Sequence, residues 1–445
     1  MTTRQPNAGL ERLYRESRWT LRQFAQEVNR LGTERGTPLK YQQPSVHQWL
    51  SGHLPKETVR PLILEALARR LLRPITHAEA GFPPPEGASS HPTTVEGLVD
   101  LGRQDMDPSR RSVLGAGLFS LALTVPGWPD VLGRMEAVQS GKTQRIGMAD
   151  VNMVIAMTER VSDLDDQFGG RHARPMAAAF LVNTVAPYLQ ADATEEVRKA
   201  MMSAASDLCY LTGYMAVDEG VHGPAQQYYL KALELAGASE DHLTYCTTLR
   251  GMSVQAVDLR HGKTAMRLAD AAASASPQAG PRMRAFLAGQ QAHASAQLGE
   301  RTKALTYLRE AEAAMEKAES QSTTFGSYNP SSLTYHTGQV RYELGDVRGS
   351  VKDLEESDKL RHSSFKRNRI RYLSMLAERQ LDIGHLESTC ATWVKVVEIY
   401  PDVQSGQCDK AMSTMQARIR PYLKNQAARS LYERARLVTP LPVST

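Results

Sequence analysis

Eight side chains between residues 22 and 60 are equipped for recognition chemistry: Arg22, Lys40, Gln43, Ser45, His47, Gln48, Lys56 and Arg60. A glutamine amide carries a donor and an acceptor side by side, the pattern that pairs bidentately with adenine; serine and histidine are less selective. The four cations stand at both ends of one short polar segment, where they would meet phosphates. Charge is uneven along the chain. Residues 1–73 hold 13 Arg and Lys against 6 Asp and Glu, so this segment carries +7 in a chain of net charge +5. A basic module on a nearly neutral body predicts a head that binds a polyanion. Catalytic chemistry has no comparable cluster: there is no Gly-rich phosphate loop, no His-x-x-x-His pair, no serine elbow and no carboxylate pair sharing a helix face. Cys209, Cys246, Cys390 and Cys408 show no paired spacing, so neither a zinc site nor a redox motif is expected. These patterns predict a protein that is not an enzyme and takes no cofactor or metal.

The elements that position the eight residues are short helices. Leu10, Leu13 and Tyr14 open the first, and Thr20 caps a second that carries Leu21, Phe24, Ala25, Val28 and Leu31. After a loop from Gly32 to Lys40, a third runs from about Pro44 to Leu50 and is closed by Gly52. A fourth spans about Glu57 to Leu72, and Thr76 starts a short fifth. Trp19-Thr20-Leu21-Arg22-Gln23-Phe24-Ala25, then Ser45-Val46-His47-Gln48-Trp49-Leu50-Ser51-Gly52, resembles the helix-turn-helix domain of the XRE or Cro-repressor class. In that class the second of the paired helices enters the major groove. The resemblance makes Gln43, Ser45, His47 and Gln48 the base-facing set, with Arg22, Lys40, Lys56 and Arg60 on the phosphates. Val46, Trp49 and Leu50 fall at inward spacing and are expected in the core. The twenty residues from Ala25 to Ser45 exceed the compact motif by about eleven. A long insertion of this kind is similar to that of actinobacterial regulators that join such a head to helical repeats. Some of those repress development and antibiotic production in streptomycetes.

Behind the head, a small residue recurs six times: Ala225, Ala265, Ala304, Ser350, Thr389 and Ala428. Four residues later comes Tyr229, Ala269, Leu308, Leu354, Trp393 or Tyr432, and three further Ala232, Ala272, Ala311, Ser357, Val396 or Ala435. Twelve residues before the lead position stand Gly213, Ser253, Ala292, Gly338 and Ala377, with Gln416 as the exception. Small residues at a fixed period predict stacked helical hairpins. The interval stretches once, from 304 to 350, at a polar loop spanning 320–330.

The order of small and aromatic residues, with Pro277, Pro401 and Pro440 following three of the units, resembles tetratricopeptide repeats, although the period is longer. Cytosolic regulators that sense short peptides fuse a similar head to a similar body. In such stacks the first helix of each hairpin lines the concave face. That register directs Tyr210, Tyr214, Arg250, Val254, His293, Tyr335, Gln339, Tyr342, Arg371 and Glu378 to a groove suited to a peptide or protein partner.

The resulting expectation is an all-α chain: a DNA-binding head at 1–82, a linker at 83–108, an irregular helical cap at 109–204 and six tetratricopeptide-like repeats at 205–440. Ser109-Arg110-Arg111-Ser112-Val113-Leu114 and the apolar run to Val125 imitate a twin-arginine export signal, but are read as a helix docking the linker onto the array. No secretory leader opens the chain and no membrane partner is expected, which predicts a cytoplasmic protein. The functional expectation is a transcriptional regulator, a repressor of development or secondary metabolism. It would act as a homodimer on DNA, with a peptide or protein ligand in the groove. The competing expectation is a scaffold that sequesters another regulator without reading DNA itself.

Overall fold

The computed structural model describes residues 6–35, 37–83, 93–106, 119–121, 125, 145–275, 279–318, 328–360 and 366–439. Among them the protein is all-α, an N-terminal helical domain followed by a solenoid of stacked hairpins. The β-structure among these residues is an isolated bridge between Arg145 and Asp192.

The head consists of α1 (Ala8–Ser17), α2 (Leu21–Glu34), α3 (Gln43–Leu50) and α4 (Arg60–Leu71), with a 3₁₀ turn at Glu57–Val59. Thr20 and Gln23 form a reciprocal capping box that fixes the start of α2. Phe24 is the hub of the core. Its ring centroid lies 6.0 Å from Tyr14, 5.5 Å from Trp19 and 6.5 Å from Trp49. Val46 and Trp49 are buried and Leu50 is half-buried, so α3 turns its apolar side inward as its spacing predicts. Gly52 supplies the positive φ that ends the helix. The long insertion folds back on α2. The Asn29 side chain donates to the Tyr41 carbonyl and accepts from its N–H, both at 2.8 Å, and Thr37 N–H donates to the Gly32 carbonyl at 2.8 Å. Tyr41 then sets its ring against Trp49, 5.0 Å away. The extra residues are thus absorbed by a longer α2 and a tied return.

Two expectations need correction. The fifth helix at Thr76 is only a pair of turns, with Ala80 N–H to the Thr76 carbonyl at 3.1 Å and Phe82 N–H to the His77 carbonyl at 2.8 Å. The stretch 83–108 is not a bare linker, because Thr94–Met106 forms α5 and buries Val95, Leu98 and Asp105. Asp105 pairs with Arg174 and accepts from the Tyr228 hydroxyl at 3.1 Å. This partnered carboxylate, rather than an apolar stripe alone, seats the helix on the array.

The cap consists of α6 (Met148–Phe168) and α7 (Gly170–Phe180), the latter continuing through a π turn at Leu181–Val185 into α8 (Ala186–Gln190). Pro187, which has no N–H for an α ladder, follows that turn. Six hairpins come next. They pair α9 (Glu195–Asp218) with α10 (His222–Ser239), α11 (His242–Asp258) with α12 (Gly262–Ser274), and α13 (Pro281–Gln297) with α14 (Arg301–Glu316). The others pair α15 (Pro330–Glu343) with α16 (Val347–Lys359), α17 (Lys366–Asp382) with α18 (Leu386–Ile399), and α19 (Gly406–Ile419) with α20 (Gln426–Val438). All six lead small residues, Ala225 through Ala428, are fully buried. A Cβ on Gly213 would come within 2.9 Å of the Tyr229 ring, so the first pair can approach only without one. In two other hairpins a serine bonds across the same close approach: Ser253, at the place of Gly213, donates from Oγ to the Ala265 carbonyl, and Ser350, at the lead place, donates from Oγ to the Gly338 carbonyl, both at 2.7 Å.

The ends of the array meet. Helix α6 packs against both α9 and α17, and Gln404 pairs its backbone with Phe168 and Arg171 at 2.7 and 3.2 Å. Pro401 lies in a 3₁₀ turn at Tyr400–Asp402. Pro277, Pro440, residues 319–327 of the polar loop and the export-like segment up to residue 118 lie outside the described residues. No described helix is long and apolar enough to cross a membrane.

Candidate functional site

In the head, the outward side of α3 presents Gln43, His47 and Gln48 exposed, with Ser45 half-buried between them. Arg22 and Gln43 line one cleft of about 470 Å³, together with Gln26, Tyr41, Gln42 and Pro44. The start of α2 and the start of α3 therefore share a surface. Lys56 and Arg60 lie beyond the other end of α3, where the Arg60 Nε donates to the Pro55 carbonyl at 3.0 Å. Lys40 is exposed just before α3.

Electrostatics separates these cations from the rest of the head. Arg15 pairs with Glu11, Arg30 with Glu27 and Glu34, Arg69 with Glu34 and Glu65, and Arg73 with Glu16 and Glu79. Arg70 is held by the Ser17 carbonyl at 2.8 Å. Arg22, Lys40, Lys56 and Arg60 have no ion pair among the described residues. Glu11, Glu16, Glu27, Glu34, Glu65 and Glu79 are taken up by arginines elsewhere in the head, which leaves positive charge around α3, with Glu57 standing between Lys56 and Arg60 in sequence. Arg18 and Arg35, at the ends of α1 and α2, are exposed and likewise without an ion pair among the described residues.

In the array, the eight groove candidates all lie on the first helix of a hairpin: Tyr210 and Tyr214 on α9, Arg250 on α11, His293 on α13, Tyr335, Gln339 and Tyr342 on α15, and Arg371 on α17. They meet in one packed interior. The Tyr210 and Tyr214 rings stack at 6.5 Å. Arg250 lies over Phe286, 4.0 Å from the ring centroid, with its Nη2 3.5 Å from His336 Nε2. His293 faces His336 at 6.4 Å. Tyr335 meets Tyr372 at 4.4 Å and accepts from the Gln339 amide at 2.9 Å. Arg379 covers the Tyr342 ring at 4.1 Å, and Arg371 reaches Asp258 at 3.7 Å. Val254 and Glu378 are half-buried, the latter 3.6 Å from Arg418. Side chains from α11 therefore touch α15 and α17 across the concave side, and the groove is filled by its own lining.

Burial in this interior holds the histidines neutral. The His293 imidazole is pushed down to about 3 by burial, with Arg379, Arg260 and Arg250 adding to the effect. His336 is also pushed well down by burial, then by Arg250 and His293. His336 Nδ1 lies 2.7 Å from the Tyr328 hydroxyl. Sequence reasoning passed over Phe286, Tyr328, His336, Tyr372, Arg367 and Arg379. Phe286 was findable, since it stands six residues before Ala292 just as Arg371 stands before Ala377.

Two further clefts lie outside this interior. One of about 400 Å³ is lined by Arg284, Leu287, Ala288, Gln291, Glu310 and Lys317. The other, about 370 Å³, opens where α6 and α7 meet residues 401–404, with Phe168 and Met176 in its wall. None of the eight groove candidates lines either. Among the described residues no group of His, Cys, Asp and Glu is arranged to hold a metal ion.

No curated protein matches this chain. Residues 10–83, which span α1 to α4 and the turns after them, match the family described as the SP15 N-terminal domain.

Proposed function

We propose that this chain is a transcriptional regulator whose head binds DNA through the outward side of α3 and whose array receives a peptide or protein signal. The observation that carries the reading is the set of four cations, Arg22, Lys40, Lys56 and Arg60, left without ion pairs among the described residues around exposed Gln43, His47 and Gln48. Cations without an ion pair are available to phosphates, and glutamine amides beside them can pair with adenine edges. On α3, Gln43 and His47 stand four residues apart on one face, and Gln48 follows next round the helix. In this reading the protein works in the cytoplasm as a homodimer, because two half-sites one DNA turn apart need two heads, and it represses genes of development or secondary metabolism.

The reading is tested by binding of the purified protein to duplex DNA across a salt series. Four phosphate contacts contribute about −3.6 to the slope of log affinity against log salt, and Lys40→Ala or Lys56→Ala lowers that steepness by about one each. Affinity for DNA that does not respond to salt, or that is unchanged in both variants, would remove the head from this role.

A further inference from the structure

We propose that the array is a clasp: it closes on itself where Arg367 of α17 enters a carboxylate nest on α6 and α9, and it opens there to uncover the aromatic interior. The proposal deepens the reading of the array as the receiving half and rests on that reading.

The closing seam is polar and deeply buried. Arg367 is 1 % exposed, and its guanidinium lies 2.8 Å from Asp165, 3.3 Å from Asp166 and 3.3 Å from Asp218. It also sits 4.9 Å from the ring centroid of Tyr214, one of the inner tyrosines. Around it, Gln404 exchanges backbone bonds with Phe168 and Arg171, Gly406 N–H donates to Glu219 Oε1 at 2.9 Å, and Arg171 joins Glu219 at 3.1 Å and Asp409 at 2.6 Å. Three carboxylates face one guanidinium, and Asp165 Oδ1, Asp218 Oδ2 and Arg367 Nε are buried without a hydrogen bond. A buried ionic contact with unsatisfied atoms gains little over its solvated, separated form, so its closure is finely balanced.

The apolar cores are distributed to match. One continuous core runs from the head through α12 and reaches α13 at Leu287 and Ala294. A second is confined to α16–α20, from Val351 to Ala435. Between them, among the described residues, lie two small apolar clusters on α13–α15 and the residue leading into α15, one around Ala292 with Val340 and one around Phe286 with Tyr328. Two firmly packed bodies joined by a thin apolar bridge on one side, and by a polar seam on the other, form a hinge and a latch. Opening at the latch separates Arg371 from Asp258 and Arg367 from the Tyr214 ring, which exposes the interior to a partner.

The test is a distance measurement on the full chain, with spin labels at Glu159→Cys in α6 and Lys395→Cys in α18. The four native cysteines are buried, so labelling is confined to the introduced pair. A second pair, Lys395→Cys with Arg429→Cys, reports integrity of the C-terminal body alone. The parent protein gives a single seam distance, and Arg367→Gln adds a longer population while the control pair is unchanged. Asp166→Asn, which relieves the excess negative charge, keeps the single short distance. Should Arg367→Gln fail to fold, Gly169→Ala takes its place: Gly169 has φ +89° and a Cβ there would run into the Gln404 carbonyl, so the seam is broken with no change of charge. A folded Arg367→Gln or Gly169→Ala that retains only the short distance overturns the proposal. So does loss of the control distance in both, which would make the seam an ordinary part of one core. These distances are read without DNA, so a failed DNA-binding assay leaves them standing.

Discussion

Asp165 is the residue whose ionisation matters most. Burial pushes its carboxyl up to about 7, against the attraction of Arg367. The groups facing it are Arg367 from α17, its neighbour Asp166, and Asp218 and Glu219 at the end of α9, with Arg171 of α7 holding Glu219. Asp166 and Glu219 are raised too, in each case chiefly by burial. A carboxyl raised in the closed form binds its proton more tightly there than when open or unfolded, where it titrates near its ordinary value of about 4. Closure is therefore strengthened below pH 7 and weakened as pH rises through it, the reverse of the usual acid loss of a salt bridge. The seam distance is predicted to sharpen at pH 5.5 and to broaden at pH 8.5; broadening on the acid side would contradict this account. What the sequence could not show is that three aspartates would share one arginine, because Asp166 and Arg367 lie 201 positions apart and obey no common period.

At the scale of elements, the recurring small residues were the most legible feature. Their period alone located six hairpins, and each lead residue is buried against its partner helix. Enlarging one tests that reading. Ala304→Leu or Ala428→Leu is expected to cost about 1–3 kcal/mol by overpacking, visible as a lowered denaturation midpoint, while the same change at exposed Ala427 leaves it unmoved. Helix α3 was legible for a similar reason: Val46, Trp49 and Leu50 share an inward side, so the polar residues between them must face out. Helix α5 was not, since its last turn is fastened by the Asp105–Arg174–Tyr228 contact, and a buried carboxylate reads as surface until its partner is known. The turns after Thr76 misled in the opposite way: one capping threonine suggested a helix, but Gly81 at φ +65° ends the run within a turn.

For the whole molecule, the open question is how the head and the array communicate. Phe119, Ser120 and Leu121 form a strap between them. Glu65 of α4 accepts from Leu121 N–H and from the Ser120 hydroxyl at 2.8 and 2.9 Å. On the array side, Ser120 exchanges two bonds with the Gln226 amide at 2.8 and 3.1 Å, and Phe119 stacks on His261 at 5.2 Å. The helix expected over the apolar run before Val125 falls mostly outside the described residues, and which of its residues dock depends on Glu65 and Gln226, 161 positions apart. Glu65→Ala takes the acceptor from three donors, Leu121 N–H, the Ser120 hydroxyl and Arg69 Nε, at a cost of about 1–3 kcal/mol. Calorimetry should then show the head melting ahead of the array; one unshifted transition would mean that the strap does not couple them. Closure of the array was equally illegible, since the superhelical rotation summed over six hairpins decides whether the ends meet.

The central claim is that this head reads DNA sequence. It is tested most directly by competition binding at about 150 mM salt between a site recovered from randomised duplexes and its scrambled form. Specific recognition predicts a preference of about 10³ or more for the recovered site. Gln43→Ala with Gln48→Ala should shrink that preference by about 10-fold or more, while Lys40→Ala with Lys56→Ala weakens both duplexes alike. Equal affinity of the parent protein for both duplexes, or a preference indifferent to the two glutamines, would contradict it.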